Sequence, residues 1–199
     1  MIDTAQKAPD FAAARRHMLE SQLRTSGVND RYVLDRMAAV AREDFVPENA
    51  RASAYVDRTI ALGAGAFLAP PLAHGQILTQ ARPSADERAL LVGPATGYLA
   101  ALLRPLVADL REATPDAVLA GDIDGTFDLV IIDGALEEIP AQLRATLEPE
   151  GRLVTGVVRN GVTRLEIGRR SGDAVSLISL NETQLPRLAA FDKPQSWTF

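Results

Sequence analysis

The feature that most constrains the fold is a series of short apolar runs, each followed by a segment of helix-forming residues. Residues 89–92 form one such run, residues 127–132 a second and residues 151–158 a third. Runs of this length are typical of strands buried on both faces of a parallel sheet. Their alternation with helical segments predicts a single, doubly wound α/β domain.

The rest of the chain supplies the helices and the ends of this domain. Residues 1–10 have the composition of a loose tail. Hydrophobic spacing predicts the surrounding helices over residues 11–24, 30–41, 72–81 and 140–147. Two further strands, over residues 162–169 and 174–180, are predicted to form a terminal hairpin. Residues 63–71 contain two glycines and two prolines, and this composition predicts an irregular loop packed against the domain.

Composition excludes several classes of function. The absence of cysteine excludes disulfides and thiolate metal sites, and two histidines, His17 and His74, are too few for a histidine-rich metal site. We therefore expect no metal. A net charge of −5 does not indicate a nucleic-acid partner. We expect no membrane span and a cytoplasmic location, because no apolar run approaches about 20 residues and residues 1–11 lack a signal-like core.

The segment Gly93-Pro94-Ala95-Thr96-Gly97 joins a predicted buried strand to a helix. Such a turn can bring main-chain N–H groups and a helix N-terminus up to a ligand, and glycine allows close approach. A tight turn without a ligand is the alternative, because many strand-to-helix turns contain glycine. The turn alone therefore predicts only a candidate site.

A wider resemblance comes from the order of several motifs along the chain. ALLVGPATGY (residues 89–98) resembles the first motif of the protein-L-isoaspartate O-methyltransferases, which is usually close to VLEIGTGSGY. The other matching segments, in the family order, are MLESQLRTSGV (18–28), REDFVP (42–47), Gly121-Asp122 ahead of Phe127-Asp128, and DGALEEIP (133–140). The matches cover nearly the whole chain from Met18 onward.

This resemblance implies a Rossmann-like methyltransferase fold, mostly a parallel sheet, with a C-terminal antiparallel hairpin. It also implies S-adenosylmethionine as methyl donor and the isoaspartyl carboxylate of a damaged protein as acceptor. The implied regions are an N-terminal helical segment (10–60), a substrate-side loop and helix (61–82), a nucleotide-binding-type core (86–160) and the hairpin (161–199). The implied cofactor contacts are Gly93, Ala95, Thr96 and Gly97 at the methionine part, Asp122 at the adenine edge, and Asp133. For both aspartates a simple Asp-Gly or Gly-Asp turn is the alternative.

Three substitutions depart from the family pattern. Leu91 stands where the family usually has an acidic residue on the first strand. Ala95, preceded by Pro94, replaces the middle glycine of the turn, and proline removes an N–H group. Leu68 stands where the family has the serine that is thought to contact the substrate carboxylate, and leucine cannot donate a hydrogen bond. Each departure predicts a weaker cofactor or substrate site.

A fourth departure is the short distance between Gly97 and Phe127, about 30 residues. The family fits two helices and two strands there, whereas Leu103, Leu106, Val107 and Leu110 have helical spacing. We therefore interpret residues 105–113 as a helix and expect a fold truncated around the second strand, without its ribose-binding acid. Asp109 and Glu112, which could replace that acid, are then expected on a solvated helix face.

Two functions remain open from the sequence. One is a working S-adenosylmethionine-dependent protein carboxyl methyltransferase. The other, favoured by the four departures, is a non-catalytic protein that uses the same scaffold for binding or assembly; a different small-ligand pocket is a third, weaker alternative. A sheet edge left bare by the missing strand predicts a homodimer. Residues 64–72, Trp197 and Phe199 could form an interface, although packing inside the core is the preferred interpretation.

Overall fold

The computed structural model describes residues 10–94 and 97–193. The α-helices in these ranges are α1 (Phe11–Met18), α2 (Arg31–Ala39), α3 (Pro71–Ala81), α4 (Tyr98–Leu103), α5 (Pro115–Ala120) and α6 (Ala141–Ala145). The strands are β1 (Ile60–Gly63), β2 (Ala66–Leu68), β3 (Arg88–Val92), β4 (Asp109–Ala113), β5 (Phe127–Leu136), β6 (Leu147–Arg159), β7 (Val162–Ser171) and β8 (Ala174–Glu182). Residues 1–9 of the predicted tail, Trp197 and Phe199 lie outside the described residues.

A six-stranded sheet with the order β4-β3-β5-β6-β7-β8 forms the centre of the fold. The pairs β4–β3, β3–β5 and β5–β6 are parallel, and β6–β7 and β7–β8 are antiparallel. This arrangement confirms the predicted Rossmann-like class, including the C-terminal hairpin. The three apolar runs became β3, β5 and β6 because each buries side chains on both faces.

The two faces of the sheet pack into two separate parts of the core. Leu91 and Ile131 contribute to the part that contains α1 to α4, whereas Leu90 and Val130 contribute to the part that contains α6. Alternate residues of β3 and β5 therefore bury toward opposite layers. Within the described residues, no helix is long and apolar enough to cross a membrane.

Before the sheet, the chain folds largely as predicted. The helix predicted over residues 11–24 begins as α1, where the Asp10 side chain accepts from the Ala13 N–H at 2.9 Å. It continues through a π-helical turn (Leu19–Leu23) and a 3-10 turn (Arg24–Ser26), and it ends at Gly27 with φ of 89°. Only glycine adopts this φ without strain.

The irregular loop predicted over residues 63–71 is in large part regular. Its first half belongs to the antiparallel pair β1–β2, whose turn has positive φ at Gly63, Ala64 and Gly65, and Pro71 begins α3. The two glycines therefore make a tight hairpin rather than an open loop. Leu68 is fully buried and Phe67 is 38% exposed, so this apolar segment packs mostly into the domain, as preferred above.

The helix predicted over residues 105–113 is wrong. Arg104–Leu106 form a single 3-10 turn, and β4 then pairs with β3 in parallel from Arg88↔Asp109 to Val92↔Ala113. Pairing with the free edge of β3 satisfies the main-chain groups of β4 that face it, and this long-range gain exceeds a local helical preference. The second strand of the fold is therefore present.

The shortening of the fold lies just beyond β4. After β4 the chain forms the short helix α5 and passes through residues 121–126 directly into β5. In the described part of the chain, β4 is consequently the edge strand, with Asp109, Arg111 and Glu112 adding charge along it. Charged side chains on an edge strand oppose its pairing with another chain. The homodimer predicted from the sequence stays a prediction.

Candidate functional site

A cavity of about 140 Å³ opens beyond the carboxyl ends of β3 and β4, next to β5. Open parallel sheets bind ligands at this edge. The described residues that line it are Leu91, Gly93, Pro94, Gly97, Ala100, Glu112, Ala113, Thr114 and Asp133. The lining is mostly small and apolar, with two carboxylates.

Gly93 lies at the point where β3 leaves the sheet. Its N–H donates to the carbonyl of Ala113 at 3.1 Å, which extends the contact between β3 and β4 beyond the last pair. A Cβ atom at this position would lie 2.9 Å from Asp133 Cβ and 3.3 Å from the Asp133 carbonyl oxygen. The contact explains why a residue without a side chain is required beside Asp133.

We expect Gly93→Ala to lower the free energy of unfolding by about 1–3 kcal/mol, because the new methyl group would overlap Asp133 in a well-packed region. Urea denaturation followed by circular dichroism measures this. Ala108→Ser adds an atom at an exposed position and serves as the control. Equal stability of the wild type and Gly93→Ala would contradict the close packing described here.

Asp133 lies in an irregular part of β5. Between Ile131 and Ala135, four steps along β5 match the two steps from Val154 to Gly156 on β6. Such bulges change the direction of side chains and are common beside binding sites. Asp133 is 4% exposed and lines the cavity.

The chain after β8 supports the end of β5. The Ala135 N–H donates to the Pro186 carbonyl, and the Leu188 N–H donates to the Ala135 carbonyl, both at 2.8 Å. Leu188 also packs on Gly134, where a Cβ atom would lie 2.6 Å from Leu188 Cγ. Residues 186–188 thus hold the part of β5 that carries Asp133.

Asp133 belongs to a buried array with His74 and Arg42. Asp133 Oδ1 and His74 Nε2 are 3.0 Å apart, and His74 Nδ1 and Arg42 Nη1 are 3.1 Å apart. His74 and Arg42 are both fully buried. A guanidinium group only donates, so His74 Nδ1 accepts, and Nε2 carries the proton that is donated to Asp133.

Each guanidinium nitrogen of Arg42 has a hydrogen-bond partner. Its Nε donates to the Ala54 carbonyl at 2.7 Å and its Nη2 to the Ala69 carbonyl at 2.5 Å, while its Cζ lies 4.8 Å from the centre of the Tyr98 ring. Burial lowers the pKa of Arg42, and interactions with Tyr98 and Asp133 oppose that shift. Burial raises the pKa of Tyr98. Burial thus favours the neutral phenol of Tyr98, whereas Arg42 stays a guanidinium because arginine is not deprotonated in proteins.

Glu112 is the second carboxylate of the cavity. It lies on β4 opposite Leu91, and its side chain is 41% exposed. Arg104 Nη2 contacts Glu112 Oε1 at 2.5 Å across the outer edge of the site. Our expectation of a solvated helix face is therefore wrong, because residue 112 lies near the end of the second strand.

The remaining residues singled out from the sequence fall in different places. Gly93, Gly97 and Asp133 come together at the cavity, whereas Ala95 and Thr96 lie outside the described residues. Asp122 follows α5, is not among the described lining residues, and accepts from Arg111 Nη2 through its carbonyl at 3.2 Å. Leu68 is buried in the core and is also absent from that lining.

Sequence reasoning missed Arg42 and His74 as partners of the site. Arg42 lies in a 3-10 turn (Arg42–Phe45) and His74 on α3, far from Asp133 along the chain. The available signal was a histidine in the apolar stretch that begins α3, because a histidine that becomes buried there needs a polar partner. Together with Glu112, the array gives a cavity that can accept hydroxyl groups, a cation and an apolar ring system.

Comparisons of the sequence with known proteins identify one family. The family model of protein-L-isoaspartate(D-aspartate) O-methyltransferase matches residues 14–113. The protein-L-isoaspartate O-methyltransferase of Roseiflexus sp. (strain RS-1) is 34% identical over 191 residues, covering 83% of this chain and 87% of the relative. That of Methylorubrum extorquens (strain PA1) is 33% identical over 194 residues and covers 85% of each chain.

The fold is also similar to solved structures. A beta-aspartate methyltransferase from Plasmodium falciparum in complex with S-adenosyl-L-homocysteine superimposes with a TM-score of 0.70, at 16% identity, over 92% of this chain and 99% of that chain. A second protein-L-isoaspartate O-methyltransferase gives a TM-score of 0.68 at 14% identity, over 88% and 66% of the two chains. At such identities the likeness shows the fold alone. The family match and the curated relatives go further, and this chain belongs to the protein-L-isoaspartate(D-aspartate) O-methyltransferase family.

Proposed function

We propose that this chain binds S-adenosylmethionine in the cavity beside β3, β4 and β5 and transfers its methyl group to an isoaspartyl carboxylate of a protein. One observation carries the proposal: Glu112 and Asp133 share a cavity with the Gly93 turn. The family of the chain and the ligand of its Plasmodium falciparum structural neighbour support the same assignment.

The residues of the cavity fit the proposed cofactor. Glu112, near the end of the second strand, would accept hydrogen bonds from the two ribose hydroxyl groups. Leu91, Ala100 and Ala113 offer apolar surface to the adenosine, and Gly93 leaves room beside Asp133. When bound, the cofactor supplies an electrophilic methyl group on a positively charged sulfur.

The chain itself needs no strong base for this reaction. A carboxylate with an ordinary pKa of about 4 is already ionised at neutral pH. The work left to the protein is to hold the acceptor and the methyl group in line and close together, which by itself can account for a large part of a rate enhancement. The hydrogen bond from Gly93 to Ala113 and the supported end of β5 would contribute to such a frame.

A second candidate function is favoured by Leu68. This residue stands where the family has a serine, and its side chain is fully buried and offers no hydrogen-bond donor. A protein that binds the cofactor without transferring its methyl group would tolerate this substitution. Binding and transfer must therefore be measured separately.

Thermal unfolding with S-adenosylhomocysteine tests the cofactor site. For a Kd of about 10 μM, 1 mM ligand would stabilise the folded state by about 2.7 kcal/mol. For a chain of this length we expect a rise in Tm of about 5–10 °C. Homocysteine at the same concentration is the control and should give no shift. Absence of any shift with S-adenosylhomocysteine would contradict both candidate functions.

Transfer is tested with labelled S-adenosylmethionine and an isoaspartyl peptide, with the aspartyl peptide of the same sequence as control. Incorporation confined to the isoaspartyl peptide is the result we expect. Cofactor binding without incorporation would support the second candidate instead. In that case Leu68→Ser tests whether the missing hydroxyl group is the cause, because a gain of transfer would then follow from one substitution.

A further inference from the structure

The proposed transfer does not by itself explain why Asp133 is joined to a buried histidine and arginine. Asp133 carries a negative charge at a position that is 4% exposed, and burying a lone charge is costly. The guanidinium of Arg42 balances that charge through the neutral imidazole of His74. The array therefore fixes the direction of a carboxylate at the wall of the cavity.

His74 also determines which part of the carboxylate faces the ligand. Its Nε2–H group donates to Asp133 Oδ1 at 3.0 Å. Within residues 10–94 and 97–193, no hydrogen bond from the protein to Asp133 Oδ2 is formed. A carboxylate with one oxygen held by the protein can use the other oxygen for a cationic ligand.

The neighbouring residues indicate which cation this would be. Gly93 lies directly against Asp133, with only 2.9 Å available for a Cβ atom. Leu91, on the strand that ends at this turn, has no charge to offer, although it lies at the position where the family usually has an acid. Asp133 is thus a carboxylate that packs directly on Gly93, in the turn that the family resemblance places beside the amino-acid part of the cofactor.

We propose that Asp133, oriented by His74 and Arg42, binds the ammonium group of the methionine part of the cofactor and so replaces the acid that Leu91 removes from β3. His74 and Arg42 are positioning residues, because they act through Asp133. This inference rests on the proposed function. The inference goes further in one respect: binding of the amino-acid part of the ligand depends on the array of Asp133, His74 and Arg42.

A pair of ligands isolates this contact. S-adenosylhomocysteine carries the ammonium group, and 5′-methylthioadenosine has the same nucleoside but lacks the amino-acid part. By calorimetric titration, we expect Asp133→Asn to weaken binding of S-adenosylhomocysteine about 10–100-fold, the loss typical of a charged hydrogen bond. Its affinity for 5′-methylthioadenosine should stay within about twofold. Asparagine keeps the shape of Asp133 and an acceptor oxygen for His74, so the variant should fold.

Two variants at His74 test the positioning role. His74→Gln can keep a donor toward Asp133, whereas His74→Phe removes it. We expect His74→Phe to lose most of the preference for S-adenosylhomocysteine over 5′-methylthioadenosine and His74→Gln to restore part of it. A purely structural role for His74 would weaken both ligands equally, which would overturn the proposal.

The proposed tautomer of His74 can be tested without a ligand. The chain contains His17 and His74 only, so ¹⁵N spectra of the wild type and of His17→Ala assign both rings. We expect His74 at neutral pH to carry its proton on Nε2, and Asp133→Asn to preserve that tautomer. A proton on Nδ1 would contradict the array. If the wild type binds neither ligand, the proposed function is refuted. If the wild type binds S-adenosylhomocysteine and Asp133→Asn binds it with the same affinity, this inference alone is refuted.

Discussion

Glu112→Gln is expected to weaken binding of S-adenosylhomocysteine by about 10–100-fold while leaving the stability of the protein nearly unchanged. A carboxylate that accepts from two ribose hydroxyl groups makes charge-assisted hydrogen bonds, and a neutral amide makes weaker ones. The side chain is 41% exposed, and its pair with Arg104 is a surface salt bridge of small energetic value. Calorimetric titration gives the affinity, and urea denaturation gives the free energy of unfolding.

Asp109→Asn provides the matched control for this substitution. Asp109 is an exposed carboxylate on the same strand, but it pairs with Arg88 at the opposite end of β4, away from the cavity. We expect no change in ligand affinity for this variant. If Glu112→Gln and Asp109→Asn bind the ligand equally well, the ribose does not lie against β4, and the proposed orientation of the cofactor is wrong.

The prediction at Glu112 depends on a strand that sequence reasoning did not find. The spacing of Leu103, Leu106 and Val107 favours a helix, and Leu110 continues it. What decides the outcome is β3, whose outer edge pairs in parallel with the five residues of β4. That information lies more than fifteen residues away along the chain, so local periodicity could not supply it. The buried strands β3 and β5 were predictable, because their apolar runs specify burial on both faces.

The candidate site also contains residues that the sequence predicts and residues that it does not. Gly93, Gly97 and Asp133 were predicted as site residues from motifs that follow strands, and all three line the cavity. Arg42 and His74 were not found, because their contacts with Asp133 join a turn, a helix and a strand that are distant in sequence. A motif can locate the end of a strand, but it does not indicate which buried groups will reach it.

Arg42→Met is expected to have the largest effect on stability, lowering the free energy of unfolding by about 3–5 kcal/mol. Methionine fills a similar volume, so the loss is mainly electrostatic. The carbonyl groups of Ala54 and Ala69 and the Nδ1 atom of His74 would each lose a donor, and the charge of Asp133 would lose its counterion. Because domains are stable by only about 5–15 kcal/mol, urea denaturation should detect this easily.

Two further variants separate charge balance from general packing. Arg31→Met removes an arginine whose side chain is 94% exposed, and it should leave the free energy of unfolding unchanged. Combining Arg42→Met with Asp133→Asn removes both charges of the array. The double variant should therefore lose less free energy of unfolding than the sum of the two single losses, by about 1–3 kcal/mol. Strict additivity would mean that Arg42 stabilises only the loops carrying Ala54 and Ala69. Arg42 would then have no part in holding the carboxylate at the cavity.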